Sequence, residues 1–142
     1  MTDERFWSLV RKSKWYKYWR SEKNAEICRK FLDEALAEGE LEEFSEMISD
    51  KKEALEERIT SYYRKMSGGE FDYLMPDGFS PNGYLGDDTI SDGLFHIVGS
   101  GKTCYNKVMK NPDKLWENFH DVYDMMSSEC FFYVVLLKNS EY

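Results

Sequence analysis

The feature that most constrains this chain is the long stretch from Glu40 to Met66, bounded by Gly39 and by Ser67-Gly68-Gly69. Leu41, Phe44, Ile48, Leu55, Ile59, Tyr62 and Met66 recur in it at helical spacing. Apolar residues every three or four positions put one stripe on a helix, and that stripe must be buried against other elements. Lys51 and Lys52 interrupt the stripe, which leaves room for a break or a bend there.

The same period recurs on both sides. Thr2 is the expected N-cap with Asp3 and Glu4 in the first turn, where the helix dipole favours acidic groups, and Phe6, Leu9, Val10 and Ser13 mark one face. The aromatics of Trp15 to Arg20 are expected to pack that first helix onto the core. Ser21 can cap a second helix whose stripe is Ala25, Cys28, Leu32, Ala35 and Leu36, stopping at Gly39. Asp88 or Ser91 could cap a fourth ending near Gly99 to Gly101, and Lys102 to Lys110 is a fifth. Asn111-Pro112 starts a sixth, with Leu115, Trp116, Phe119 and Tyr123 on its face. Phe131 to Leu137 fits a buried strand or a buried helix. A lone strand would have no partner, so helix is expected.

Residues 67–88 hold five of the nine glycines and two of the three prolines, the composition of a loop. The expected fold is all-α: a compact single-domain bundle of about six or seven helices over 1–142, with one long Gly/Pro-rich loop at 67–88. A chain of 142 residues buries roughly 70% of its unfolded surface. At 42% hydrophobic and 16% aromatic it has the material for a core without disulfide or metal. No apolar run approaches the roughly 20 residues that span a bilayer. Met1 to Arg5 lacks the basic and apolar regions of a secretory signal. Cys28, Cys104 and Cys130 are odd in number and widely spaced, as reduced thiols would be. A cytoplasmic protein that does not enter the membrane is expected.

Charge is unevenly placed. Residues 11–30 carry eight basic and two acidic side chains, a net +6; residues 33–57 carry eleven acidic and two basic, a net -9. These segments could pair with one another. From Met66 to Gly101 there is no Lys or Arg, while Glu70, Asp72, Asp77, Asp87, Asp88 and Asp92 add six negative charges without a local counterpart.

Motif chemistry is sparse. Gly99-Ser100-Gly101-Lys102-Thr103 ends like a phosphate-binding loop, but that loop needs glycine at position 96, where His96 stands. A helix end followed by a helix start explains the string. Asp88 to Gly93 opens like a calcium loop, yet its third position is Ile90 and its twelfth Gly99. Trp15-Tyr16-Lys17-Tyr18-Trp19-Arg20 interleaves stacking groups with cations, as single-strand binders do, against a formal net charge of -8 that repels phosphate. His96 and His120, the two histidines, neighbour no nucleophile in a catalytic context, and zinc-type spacings are absent. No cofactor or metal is expected.

Several short motifs point one way together: Phe6-Trp7-Ser8-Leu9-Val10, Asp87-Asp88, Ile97-Val98, Gly101, Tyr105, Pro112-Asp113-Lys114-Leu115 and Glu129-Cys130-Phe131-Phe132-Tyr133-Val134. With them the chain resembles the bacterial domain-of-unknown-function 4240 family over nearly its whole length. The resemblance implies helix for 131–137 and a helix junction at 99–105. The family usually has Phe-Arg and then Trp in its central helix, where this chain has Gly93-Leu94 and His96. It implies no activity and no catalytic residue.

The expected function is therefore a non-catalytic, acidic protein-binding module, one version being an immunity or antidote protein that masks a basic effector. An enzyme is not the expected class. The alternative is a small-ligand protein or enzyme using Asp87, Asp88, Asp92 and His96. A second alternative is nucleic-acid binding through segment 14–20, with Trp15 and Trp19 as its stacking groups.

Overall fold

The computed structural model describes residues 1–126 and 130–136, all-α as expected. Helix α1, Asp3–Ser13, is capped by Thr2, whose Oγ1 accepts from the Arg5 amide at 3.1 Å, and buries Phe6, Leu9, Val10 and Ser13. It stops at Lys14, which adopts a left-handed conformation (φ 57°). A short α2, Trp15–Tyr18, follows in a new direction. The expected first helix is thus divided, and the turn drives Trp15 and Trp19 into the core at 0% and 6% exposure.

Helix α3 spans Asn24–Ala35 and buries Cys28 and Leu32. Ser21 does not cap it. The junction is held by Asn24, whose buried amide donates to the Trp19 carbonyl at 2.9 Å. Helix α4, Glu40–Met66, is continuous through Lys51 and Lys52. No bend is needed there, because Lys51 pairs with Asp3 and lies over the Trp7 ring, while Lys52 pairs with Glu56 and lies over Phe95. At its start, Glu40 takes a two-pronged hydrogen bond from Arg5 (2.6 and 2.9 Å) and one from the Ala37 amide at 2.8 Å. Those bonds hold the Glu40 carboxyl down to about 2 and fasten α1 to the α3–α4 turn.

The buried stripe of α4 differs from expectation at its end. Tyr63 is inside, Tyr62 is half-buried and Met66 is 54% exposed. Tyr63 is drawn in by a polar chain: the Trp116 indole donates to its hydroxyl at 2.8 Å, which donates to Asp113 at 2.8 Å, while Tyr62 donates to the other Asp113 oxygen at 2.9 Å. Tyr63→Phe leaves the buried Trp116 N–H without its acceptor. It is expected to cost roughly 1–3 kcal/mol, read from urea unfolding.

Helix α5, Asp87–Gly99, lies at the centre and packs on α1 and α4. Its N-cap is Gly86, not Asp88 or Ser91, so Asp87 and Asp88 occupy the first turn. Helix α6 is Lys102–Lys110 as expected. The expected sixth helix is divided into a 3₁₀ helix, Pro112–Asn118, and α7, Val122–Met126, with Phe119 extended between them and Tyr123 63% exposed. Helix α8, Phe131–Leu136, buries Phe131, Val134 and Val135. It replaces the strand alternative; Leu137 lies outside the described residues. Both α7 and α8 also pack on α5. The segment between α4 and α5 is pinned at Phe79, which is buried edge-on to Trp116 at 5.0 Å and accepts from the Val122 amide at 2.8 Å. Among the described residues no helix is long and apolar enough to cross a membrane.

Candidate functional site

The six residues singled out by sequence fall into three places. His96, Trp15 and Trp19 come together in the core. His96 is 4% exposed, with the Trp19 ring at 4.1 Å, Phe119 at 5.1 Å and Trp15 at 6.3 Å. Trp15 Nε1 donates to His96 Nδ1 at 3.0 Å. An indole N–H can only donate, so Nδ1 carries no proton and the ring is the neutral Nε2–H form. Nε2 faces the Ser100 hydroxyl at 3.2 Å, and that hydroxyl donates to the His96 carbonyl at 2.8 Å. Burial holds the imidazole down to about 3, helped by the charge of Arg20. Arg20 stacks on the outer face of Trp19 at 4.2 Å and grips Asp124 with two hydrogen bonds, at 2.8 and 3.0 Å. This is a structural cluster: a neutral histidine serving as acceptor for a buried tryptophan. With Trp15 and Trp19 inside, segment 14–20 offers a nucleic acid its lysines and the half-exposed Tyr16, and neither indole.

Asp92 stands apart from both other groups. It faces Cys130 at the start of α8, and its carboxyl is raised by burial. Burial also pushes the Cys130 thiol up to about 12, so it stays protonated.

Asp87 and Asp88 open onto solvent in a groove of about 780 Å³ between α4 and α5. Glu53, Glu56 and Glu57 from α4 line it with them, as does Asp72. Two cations share the groove, and each is already paired: Lys52 with Glu56, and Arg64 with Asp72, both at 2.5 Å. Glu53, Glu57, Asp87 and Asp88 make no ion pair among the described residues. Tyr73 is half-buried in the same groove, its hydroxyl pushed up to about 12 by burial and then by Glu56, Asp72 and Asp87. The carboxylates are spread along two helices. Among the described residues no group of three or more His, Cys, Asp or Glu is placed to hold a metal ion. His96 shares α5 with Asp87 and Asp88 but does not line the groove, so an acid–base site joining these residues is not assembled.

Glu53, Glu56, Glu57, Thr60 and Arg64 recur at helical spacing, the polar stripe of α4 beside its buried one. That stripe was readable, but only the structure sets it against Asp87 and Asp88. The pairing open to the basic and acidic segments is not the rule. Arg11, Lys12, Lys14, Lys17, Lys23 and Lys30 make no ion pair among the described residues, and Arg20 reaches Asp124 instead.

The phosphate-loop-like string has a packing explanation. A Cβ at Gly99 would lie 2.6 Å from the Trp15 ring and 2.8 Å from the Phe131 ring. Gly101 has φ 106°, which an L side chain rarely adopts, and caps α6. Both glycines are thus accounted for without a ligand.

No curated protein and no solved structure matches the chain. A family model does, over residues 1–138: Protein of unknown function (DUF4240). With nearly the full length covered, the motifs from Phe6 to Val134 belong to one family pattern, and the chain is a member of the DUF4240 family.

Proposed function

We propose that this protein is a non-catalytic binding module that holds a basic segment of a protein partner in the α4–α5 groove. The observation that carries the reading is the set of four carboxylates, Glu53, Glu57, Asp87 and Asp88, left without cations on facing walls of one groove. Like charges held side by side repel, and a cationic ligand relieves that repulsion. Electrostatic complementarity of this kind speeds encounter and selects partners. The spread of the carboxylates suits an extended Lys/Arg-rich segment better than a single ion. An antidote that masks a basic effector is one biological form such a module takes.

The test is fluorescence anisotropy with a labelled oligolysine peptide as probe. Binding is expected at low salt and is expected to weaken as salt rises. The quadruple variant Glu53→Gln/Glu57→Gln/Asp87→Asn/Asp88→Asn is expected to bind at least about tenfold more weakly, ~1.4 kcal/mol. Equal binding by the variant, or no binding by the native protein at low salt, overturns the reading.

A further inference from the structure

The groove has a complementary surface on the same chain. Around the α1–α2 turn, the Tyr18 and Phe31 rings stack at 16° and 6.4 Å, both half-buried. Lys14 Nζ lies 5.5 Å over the Phe31 ring, and Lys17 Nζ lies 5.4 Å over the Tyr18 ring. Two ammonium groups are therefore held on a fixed aromatic pair, losing less freedom on binding than lysines on bare stems. Neither lysine has an ion-pair partner among the described residues. No residue of this face lines the groove.

We infer that the protein associates with further copies of itself head to tail, the Lys14–Lys17 face of one copy seated on the α4–α5 groove of the next. The inference rests on the reading of the groove as a site for a basic protein segment, and names a second copy of this chain as one such partner. Each contact joins two different surfaces, so it is heterologous. It leaves one groove and one basic face open, and growth continues until a ring closes. The net charge of -8 sets the salt dependence. At about 0.15 M salt the Debye length is roughly 8 Å, which screens whole-molecule repulsion while pairs in contact still attract. At about 1 M it is roughly 3 Å, and the contact pairs weaken as well.

The test is sedimentation equilibrium of the full chain over a concentration series. At about 0.15 M salt the average mass is expected to rise with concentration above 16.9 kDa, and at about 1 M to return to it. Two charge-reversed forms sharpen the test: Lys14→Glu/Lys17→Glu on the face, and Glu53→Lys/Glu57→Lys on the exposed side of α4, each checked for native helicity by circular dichroism. Each alone is expected to stay at monomer mass. Mixed, they are expected to rise above monomer mass again, since the intact groove of one form meets the intact face of the other. A native protein that binds oligolysine through its groove, yet stays at 16.9 kDa at every salt and concentration, overturns self-association and leaves the groove reading standing. A native protein that binds no oligolysine removes the groove reading itself. A monomeric protein whose Lys14–Lys17 face retains a labelled single-stranded oligonucleotide overturns the inference in favour of a polyanion partner.

Discussion

Gly99→Ala is expected to remove roughly 2–3 kcal/mol of stability, at the upper end of what overpacking a core costs. That corresponds to a fall in melting temperature of roughly 6–12 °C for a chain of this size. The added Cβ would meet Trp15 Cδ1 at 2.6 Å and two Phe131 ring carbons at 2.8 and 2.9 Å. Both rings are wholly buried, and neither contact is the far end of a flexible side chain. Relief requires α5 to move away from α2 and α8, and Trp15 cannot shift without straining its hydrogen bond to His96. Gly93→Ala is the internal control. Its Cβ would meet the Met125 side chain at 3.0 to 3.2 Å, and a methionine can swing aside. Helix propensity also favours alanine there by about 1 kcal/mol, so the control is expected to be near neutral. Chemical denaturation of the two variants side by side reads the difference. Equal effects would contradict the packing account of the Gly99–Thr103 string.

The second large effect is a loss of stability on mild acidification, carried by His96. In the unfolded chain this imidazole protonates near its ordinary 6.5; in the fold it does so only near 3. The unfolded state therefore binds more protons between those values, and stability falls as pH drops below 6.5. The limiting slope is about 1.4 kcal/mol per pH unit, which gives roughly 2 kcal/mol lost between pH 6.5 and pH 5. Protonation at Nδ1 would also set two donors against each other at the Trp15 contact. The carboxylates held low by their partners act in a separate window. Glu40, Asp72 and Asp124 add stability above their unfolded values of 4.5, 3.8 and 3.8 and lose it as pH falls through the lowered ones. Urea midpoints across pH 7 to 5 isolate the histidine. In His96→Asn the amide oxygen can take the place of Nδ1, and the variant is expected to be less stable at pH 7 but to lose about 2 kcal/mol less on acidification. An unchanged pH slope in the variant would contradict the assignment.

Much of this fold is legible in the residues, and the failures have physical causes. The ends of α6 were readable because Gly101 and Asn111-Pro112 punctuate it. The α1 cap was readable because Thr2 stands before two acidic residues. The break at Lys14 was not, since a lysine in left-handed conformation leaves no mark that distinguishes it from a helical lysine. The break at Phe119 was hidden by apolar residues at helical spacing. Tertiary partners override that spacing: Trp116 turns to the Tyr63 hydroxyl, and Phe119 to Trp19 and His96. The Trp15–His96 hydrogen bond joins residues 81 apart, a separation over which local pattern carries no information.

The candidate site was half legible. Asp87 and Asp88 stood out because no cation lies near them in sequence. The α4 carboxylates facing them were hidden within a segment rich in Glu, and Tyr73 within a loop. His96, Trp15 and Trp19 stood out for the wrong reason: unusual residue types signalled a polar contact buried in the core, not an open site.

The most direct measurement of the groove as a site for basic segments is a ¹H–¹⁵N NMR titration of the native protein with oligolysine. The result expected is a set of salt-sensitive shifts confined to the groove: α4 from Lys52 to Arg64, Asp72 and Tyr73, and the first turn of α5 from Asp87 to Ser91. Shifts centred elsewhere, or an unperturbed spectrum at low salt, would contradict it.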